Sequence, residues 1–430
     1  MKKTVLSIFF TFLFLPSLYS QSNWVNMQSL PQLNPGDRYD DLFFINAQTG
    51  YVIHILGQVY KTIDGGRNFT EQSVSSSRYR SIGFFNETTG IAGTLTESTP
   101  IMRTTNSGQN FTNVTAISGT IPLGICGISV LDSNTAFAVG IYRCPANFLR
   151  TTDQGLSWTS YNLDTSLIKS LVDCYFWSPD SGIVVGGYNP GNTFNISNSV
   201  VLFTSNGGQS FTQVFKSSRS GEWCWKINFI NKNTGFVSVQ ASQYSVILKT
   251  TNSGLNWTDS YFTITKNLQG IGFINENTGW VGGYQGYSYA TTNGGASWEQ
   301  ARWSLYINKI KFMSDSLGYC VGGSFYKYTQ GPVSVHSNPE HIPAEIYLYQ
   351  NYPNPFNPST IINYELRLRG LITLKIYDTK GSEVITLLNQ IQQPGIYSAE
   401  FNAASLPSGI YFYTLTADNL TQTKKMLLIK

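Results

Sequence analysis

Four ionisable residues stand at one repeated position of the chain and could carry out acid–base chemistry. Asp41, Asp173, Lys226 and Lys309 each lie five residues before an Asn or Ser of a recurring turn motif. The positions two and four residues before that Asn or Ser are mostly apolar and should face the core. The four ionisable residues, five residues before it, should therefore lie on the opposite side of their strands and face a central channel. Two carboxylates roughly 5 to 10 Å apart could serve as the acid and base of a glycoside hydrolase. A charge-neutral, water-lined tunnel uses the same four residues, and this is the interpretation that we prefer.

A second group of residues could bind a ligand without reacting with it. Many aromatic side chains lie among Asn, Ser and Gly in predicted loops, where they suit stacking on a glycan or contact with a peptide. The binding candidates are Tyr188, Trp223, Trp225, Tyr284, Trp303 and Tyr306. The alternative is that these rings pack inside the fold, and we expect this for roughly half of the loop aromatics.

An internal repeat predicts the elements that position these residues. Six segments share a Thr, an Asp or Asn two residues later, a Gly two residues after that, and a Phe or Trp five residues after the Asp or Asn. The Asp or Asn positions are Asp64, Asn106, Asp153, Asn206, Asn252 and Asn293, spaced 41 to 53 residues apart. A repeat of this length, with strand and turn residues, predicts a β-propeller with one four-stranded blade per repeat.

Within this repeat, here called the Thr-Asp turn, the Asp or Asn is expected to be structural. Its side chain can cap the backbone two residues on, the Gly supplies a positive φ, and the aromatic ring packs under the turn. Four of the six positions are Asn, which cannot act as an acid. The pattern resembles the Asp-box, or BNR, repeat, which that family places in the hairpin between the third and fourth strands of a blade.

A second motif, here called the Phe-Asn turn, predicts the number of blades. The stretch Phe44–Gly50 has the form Phe-x-Asn-x-x-Thr-Gly, and similar segments surround Asn86, Asp132, Ser178, Asn231, Asn275 and Ser314. There are seven Phe-Asn turns but six Thr-Asp turns, so the last blade lacks the turn that leads into its outer strand. Trp24, near the N-terminus, matches the Phe or Trp that follows the Thr-Asp turn in the other blades. We therefore predict seven blades over residues 21–330, closed by an N-terminal strand that protects the sheet edge.

Together the two motifs resemble the photosystem II assembly-factor type of propeller, which is also common in bacterial surface proteins. Asp-box propellers include sialidases and xyloglucanases, so a secreted glycan-active hydrolase is the alternative function. Sialidases hold their substrate with three arginines and use a Tyr–Glu pair, and the sequence lacks that signature. We therefore expect a non-catalytic protein that binds a glycan or a protein ligand.

Residues 345–430 form a different module, after a predicted linker at 331–344. Short alternating strands, with Ile372, Leu374 and Ile376 on one side, predict an immunoglobulin-like antiparallel β-sandwich. The fold class is therefore all-β, with a propeller followed by a small sandwich.

The stretches Asn351–Pro358 and Leu406–Tyr413 of this module resemble the type A C-terminal sorting domain of the type IX secretion system. The resemblance implies that residues 345–430 are recognised by the type IX secretion machinery. It also implies export across the outer membrane to an extracellular or surface-attached state. An immunoglobulin-like module without an export role is the alternative.

The N-terminus has the features of a secretory signal peptide over residues 1–20. Lys2 and Lys3 precede an apolar stretch, and Ser20 is the predicted cleavage position. No later segment has the length and apolarity of a transmembrane helix.

The composition argues against several kinds of partner. Charged residues make up 12% of the chain and its formal net charge is +4, which argues against a nucleic-acid partner. With three histidines and no Cys-x-x-Cys spacing, we predict neither a metal site nor a cofactor.

Overall fold

The computed structural model describes residues 23–429, apart from positions 35, 142–144, 189–195, 242–243, 263–266, 285–286, 302, 305, 330–345, 352–353, 367–369, 394 and 418–419. The chain divides into two compact units, Met1–Val333 and Ser334–Lys430. The predicted signal peptide and the predicted linker lie outside the described residues, so the domain boundaries inferred above stay predictions.

The first unit is a seven-bladed β-propeller, and each blade contains a four-stranded antiparallel sheet. The N-terminal strand is β1 (Trp24–Asn26). Blades 1 and 2 consist of β2 (Tyr39–Phe44), β3 (Gly50–His54), β4 (Gln58–Thr62), β5 (Thr70–Val74), β6 (Tyr79–Phe84), β7 (Gly90–Thr94), β8 (Ile101–Thr104) and β9 (Thr112–Asn113). Blades 3 and 4 consist of β10 (Ile117–Gly119), β11 (Gly127–Val130), β12 (Ala136–Gly140), β13 (Asn147–Thr151), β14 (Trp158–Asn162), β15 (Ser170–Phe176), β16 (Gly182–Tyr188), β17 (Asn198–Thr204) and β18 (Thr212–Lys216). Blades 5 to 7 consist of β19 (Glu222–Phe229), β20 (Gly235–Ala241), β21 (Ser245–Thr250), β22 (Thr258–Phe262), β23 (Leu268–Phe273), β24 (Gly279–Gly283), β25 (Tyr289–Thr291), β26 (Glu299–Gln300), β27 (Ile307–Ser314), β28 (Leu317–Gly322) and β29 (Phe325–Thr329).

The N-terminal strand completes blade 7, as predicted. The sheet order is β1-β29-β28-β27, and Trp24 lies opposite Tyr328 in antiparallel register. Blade 3 has a strand that the repeat did not predict, because β10 pairs in parallel with β14 and covers the outer edge of that blade. Strands β1 and β10 each form hydrogen bonds with an outer strand of a blade. Without them, the backbone groups of that edge could pair with another chain.

The Thr-Asp turns differ in one respect from the sequence expectation. In all six turns the Asp or Asn oxygen accepts a hydrogen bond from the backbone N–H four residues on, not two. In blade 1 the N–H two residues on belongs to Gly66, which donates to the Thr62 hydroxyl at 2.9 Å. Thr62 in turn donates to Asp64 at 2.8 Å. The Thr is therefore a part of the turn, and an amide oxygen serves as well as a carboxylate, which explains why Asn is allowed.

The Phe-Asn turns lie on the same face of the propeller as the Thr-Asp turns. Asn46 accepts hydrogen bonds from backbone N–H groups two and three residues on, and the Gly65 N–H donates to the Gln48 carbonyl at 2.9 Å. The loops between second and third strands, and those between blades, consequently share the opposite face. The start of each innermost strand opens toward that face.

The Phe of the Phe-Asn turn packs against the preceding blade. Phe44 of blade 1 stacks on Tyr319 of blade 7 with ring centroids 3.6 Å apart. The corresponding pairs are Tyr51–Phe84, Phe137–Phe176 and Phe236–Phe273. Gly50 lies under the Phe44 ring, where a Cβ would approach to 2.5 Å, so the motif requires Gly at its last position.

The innermost strands carry an irregularity that shapes the channel. In six of the seven blades the first strand has a β-bulge beside the predicted channel residue. In blade 1, Tyr39 and Asp41 pair with consecutive residues of β3, so Asp40 is the extra residue of the bulge. In blade 5, the bulge contains Trp225 and Lys226. A bulge lets two consecutive residues point to the same side of a strand. Each such blade can therefore bring two residues toward the channel.

The second unit is the predicted β-sandwich. Its strands are β30 (Ile346–Leu348), β31 (Ser359–Leu366), β32 (Gly370–Tyr377), β33 (Glu383–Gln392), β34 (Gly395–Asn402), β35 (Gly409–Ala417) and β36 (Leu420–Leu428). They form a three-stranded sheet, β30-β31-β34, and a four-stranded sheet, β33-β32-β35-β36. Ile372, Leu374 and Ile376 are fully buried between the sheets, as their alternation predicted.

Candidate binding site at the channel mouth

Three of the four predicted channel residues come together in one ion network. The Lys309 ammonium lies 3.8 Å from an Asp173 oxygen and 4.0 Å from an Asp41 oxygen. These three residues belong to blades 7, 4 and 1, so the lysine reaches across the channel. The two contacts place the carboxylate oxygens that they join at most 7.8 Å apart.

Both carboxylates also tie neighbouring blades together. Asp41 accepts a hydrogen bond from the Ile82 backbone N–H of blade 2 at 3.1 Å, and Asp173 accepts one from Ile227 of blade 5 at 3.2 Å. The Asp41 and Asp173 side chains are buried.

The two lysines respond differently to this environment. Burial lowers the pKa of Lys226, and attraction from Asp173 does not offset the effect. Burial acts on Lys309 in the same direction, but Asp173 and Asp41 outweigh it and raise the pKa of that lysine. The network therefore stabilises the charged form of Lys309, whereas burial disfavours the charged form of Lys226.

Replacing Lys309 by Met is expected to lower the free energy of unfolding by about 2 kcal/mol, because two buried carboxylates lose their counter-charge. Lys226→Met is the matched control. It should change stability by no more than about 0.5 kcal/mol or increase it, since it removes an ammonium whose charge is already disfavoured. Urea unfolding of both variants measures the difference. Equal losses in the two variants would contradict this role of Lys309.

A second network lies at the mouth of the channel, where the innermost strands begin. Asp40 is fully buried and its Oδ1 atom pairs with Arg80 of blade 2 and, at 2.5 Å, with Arg38. The Asn308 amide of blade 7 donates to the same oxygen at 3.1 Å. Because one fixed carboxylate holds both guanidinium groups, these cations are positioned before any ligand arrives.

Three of the predicted binding aromatics join this network. The Arg80 guanidinium lies over the Trp225 ring of blade 5 at 5.2 Å, so arginine and tryptophan meet across the channel. Tyr306 interacts electrostatically with Arg38, and its ring contacts Tyr284 edge-on at 5.0 Å. We call Arg38, Arg80, Trp225, Tyr284 and Tyr306 the mouth cluster. Its three aromatic rings are partly exposed, and burial raises the pKa of Tyr306 to about 12, which keeps that hydroxyl neutral.

The other three predicted aromatics lie elsewhere. Trp223 is only 7% exposed and its indole packs against the Gly187 backbone. Trp303 stacks on Trp24 at 4.7 Å and belongs to the closure of blade 7. The Tyr188 ring lies 3.7 Å from the ammonium group of Lys216 in blade 4. Trp223 is therefore used in packing, which was the alternative stated for the loop aromatics. Tyr188 and Trp303 are partly exposed, and their role in binding stays a prediction.

The sequence reasoning did not find Arg38, Asp40 or Arg80. Asp40 and Arg80 each stand one residue before the position that the sequence predicted to face the channel. In a strand with strict alternation, a residue directly before a channel-facing residue points away from the channel. The bulge reverses that expectation. A repeated polar residue directly before the channel column was the signal that could have revealed the mouth cluster.

The described residues offer neither a cluster of metal-ligating side chains nor a membrane-spanning helix. These residues contain no group of three or more His, Cys, Asp or Glu side chains arranged to hold a metal ion. Over the same part of the chain, no helix has the length and apolarity needed to cross a membrane.

Comparison with known proteins identifies a family for each unit. Residues 18–324 match the family described as photosynthesis system II assembly factor YCF48, and residues 350–430 match the secretion system C-terminal sorting domain. No curated protein sequence matches the chain. Both family resemblances inferred from the motifs are thus confirmed.

Solved structures show the same architecture. A structure described as YCF48 bound to D1 peptide has a TM-score of 0.54 at 18% identity and covers 73% of this chain and 98% of its own. YCF48 from Cyanidioschyzon merolae gives the same TM-score and identity, with 71% and 98% coverage. PorZ, a surface component of the type IX secretion system of Porphyromonas gingivalis, has a TM-score of 0.51 at 12% identity and covers 93% of this chain and 61% of its own. At these identities the likeness shows the fold alone.

The C-terminal match indicates export across the outer membrane to the cell surface or the extracellular space. The other match covers well over half of the chain, so the protein belongs to the photosynthesis system II assembly factor YCF48 family and carries a secretion system C-terminal sorting domain at its C-terminal end.

Proposed function

We propose that this protein is a non-catalytic binding propeller that acts outside the cell and holds a protein segment at its mouth cluster. It enters the periplasm through the signal peptide at residues 1–20 and crosses the outer membrane through the sorting segment at residues 345–430. The observation that carries the proposal is the joining of two prepositioned arginines with three partly exposed aromatic rings at one end of the channel.

The residue types of the mouth cluster favour a protein ligand. Trp, Tyr and Arg are the residues that most often dominate the free energy of protein–protein contacts. Asp40 already neutralises one of the two guanidinium charges, so the cluster keeps a net positive charge that suits an acidic side chain or a terminal carboxylate. A relative in the same family, YCF48, has a solved structure described as bound to D1 peptide, which supports a peptide as the ligand class.

The hydrolase alternative rests on Asp41 and Asp173, whose contacting oxygens lie at most 7.8 Å apart and so do not exceed the separation that glycosidases use. Their surroundings argue against it. Each carboxylate accepts a backbone hydrogen bond from the next blade, and the Lys309 ammonium occupies the space between them. A sugar ring would have to displace that lysine and leave its charge buried.

Replacing Trp225 by Ala is expected to weaken ligand binding by at least about tenfold, because a central aromatic anchor is lost. The measurement is a peptide and glycan array probed with the mature full-length chain, followed by calorimetric titration of the best ligand. Trp177→Ala is the matched control, since Trp177 is also partly buried but follows the end of β15 on the opposite face. It should affect stability and leave the dissociation constant unchanged.

Two outcomes would reject the proposal. One is equal loss of affinity in the Trp225 and Trp177 variants. The other is hydrolysis of a glycan by the purified chain that disappears in Asp41→Asn or Asp173→Asn while the fold persists, which would establish the enzyme.

A further inference from the structure

Several large apolar side chains of the sandwich are open to solvent. Single exposed apolar residues are common on protein surfaces, but a contiguous group of them marks a site of contact with another molecule. The arrangement of these residues therefore shows where the sandwich can bind a partner. The exposed residues are Ile361, Leu371, Ile385, Ile391, Ile410, Leu427 and Ile429.

Three of these side chains lie together at one end of the four-stranded sheet. Ile410 of β35 is directly opposite Leu427 of β36, and alternation puts Ile429 on the same side as Leu427. Phe412 comes two residues after Ile410 on the same side of β35, and it lies opposite Tyr377 of β32. Both of these aromatic residues are partly exposed. We call these five residues the sandwich patch, which crosses three strands on the face turned away from the core.

The two stretches that resemble a sorting domain meet beside this patch. The Leu427 N–H donates to the Asn354 side-chain oxygen at 2.9 Å, and the Phe356 N–H donates to the Leu427 carbonyl at 3.0 Å. The Ile429 N–H in turn donates to the Phe356 carbonyl at 3.0 Å. Ile410 belongs to the second stretch, so both stretches shape the same end of the sandwich. Burial in the core explains Phe356, whereas it does not explain the exposed Ile410.

The charge beside the patch is positive. Lys425 lies opposite Phe412 and is exposed, and no ion pair joins it to a described residue. The nearby Lys375 ammonium is paired with Glu383 at 2.8 Å, so that carboxylate is already engaged. A partner that covers the patch should therefore offer an apolar surface with a carboxylate opposite Lys425.

We propose that the sandwich patch is the surface by which the type IX secretion machinery recognises this chain, through a protein component with that complementary surface. The match of residues 350–430 to a sorting domain supplies the partner, and the charge of Lys425 supplies its complementarity. An apolar centre beside charged groups is the usual composition of a specific protein contact. This assignment rests on the export role proposed for residues 345–430 and adds the face of the sandwich that is bound.

The other exposed apolar residues of the sandwich do not extend the patch. Leu371 lies opposite Ile391 at the far end of the same sheet, and Thr373 and Lys375 separate it from Tyr377 along β32. These two apolar residues are also remote from both stretches that resemble a sorting domain. The patch is therefore the apolar surface that coincides with the sorting motifs.

The test is surface delivery of the full-length chain in a host that has a type IX secretion system. Ile410→Glu should lower delivery at least about tenfold, because the complex would bury a carboxylate without a partner. Thr416→Glu is the matched control on the same side of β35, outside the patch, and should be delivered normally. Lys425→Glu should also lower delivery, because it sets like charges against each other. Lys232→Glu makes the same charge reversal at an exposed site of the propeller and should have no effect.

A photo-cross-linking side chain identifies what covers the patch. A benzophenone group in place of Phe412 should cross-link to a protein of the secretion machinery in the living host, whereas one in place of Thr416 should not. Thermal unfolding and limited proteolysis of the purified variants show whether each sandwich is folded. Since Lys425 is exposed, the Lys425→Glu variant keeps the test valid if Ile410→Glu does not fold.

Three results would overturn the proposal. One is normal delivery of Lys425→Glu and of folded Ile410→Glu while the chain without residues 345–430 stays in the periplasm, which would leave the export role standing. The second is an equal loss of delivery in Thr416→Glu. The third is cross-linking from position 412 to a second copy of this chain and not to the machinery. Normal delivery of the truncated chain would instead reject the export role itself.

Discussion

Deleting residues 345–430 is expected to leave the propeller in the periplasm of a host that has a type IX secretion system. The match to the sorting domain covers residues 350–430, and these residues form a compact unit of their own. The expected effect is complete loss of surface and extracellular delivery, measured by cell fractionation and by protease accessibility on intact cells. Normal surface delivery of the truncated chain would refute the assignment.

Two substitutions in β32 test whether export requires the sandwich to be folded or only requires its sequence to be present in the chain. Leu374→Asp places a carboxylate in the fully buried core of the sandwich, so it should abolish export as the deletion does. Thr373→Asp changes the neighbouring residue of β32, which faces outward and is only partly buried, and export should persist. Export of both variants would show that the machinery does not require the folded sandwich.

Replacing Trp24 by Ala is expected to cost about 3–5 kcal/mol of unfolding free energy, the range for loss of a buried Trp. Trp24 is 5% exposed and stacks on Trp303 at 4.7 Å. It also contacts Trp280 edge-on at 5.9 Å, so it joins the outer strand of blade 7 to blade 6. Urea unfolding of the mature chain, followed by tryptophan fluorescence, measures the loss.

The matched control for this prediction is the next residue of the same strand. Val25 is 38% exposed, so Val25→Ala should change stability by no more than about 0.5 kcal/mol. The ring closure would be refuted by a chain that begins at about residue 30 and unfolds at the normal denaturant concentration, because that chain lacks β1 entirely.

Local chemistry made most of the fold predictable. The Thr-Asp and Phe-Asn turns are each held by hydrogen bonds within about five residues, so the same residues recur wherever the turn recurs. Counting the two turns predicted seven blades and an N-terminal closing strand, and both are present. Alternation alone predicted the sandwich core, since Leu374 and its neighbours two residues away are buried.

The candidate site was only partly predictable. The sequence placed Asp41, Asp173 and Lys309 in one column, but the contacts among them join blades 1, 4 and 7 across the ring. Such contacts depend on the diameter of the closed channel and on side-chain reach, which no local pattern encodes. The charge-neutral, water-lined tunnel that we preferred stays a prediction, and the structure adds that Lys309 reaches across between the two carboxylates.

What the sequence determined by itself was therefore the set of turns, the blade count, the closing strand and the export module, because each depends on residues close together in the chain. The tertiary structure alone decided which aromatics remain partly exposed. It also decided that an innermost strand with a bulge can turn the residue before the channel position toward the channel as well. The physical reason is the β-bulge, which breaks the alternation on which sequence reasoning depends. That break brings Asp40 and Arg80 to the mouth of the channel, where Asp40 also holds Arg38.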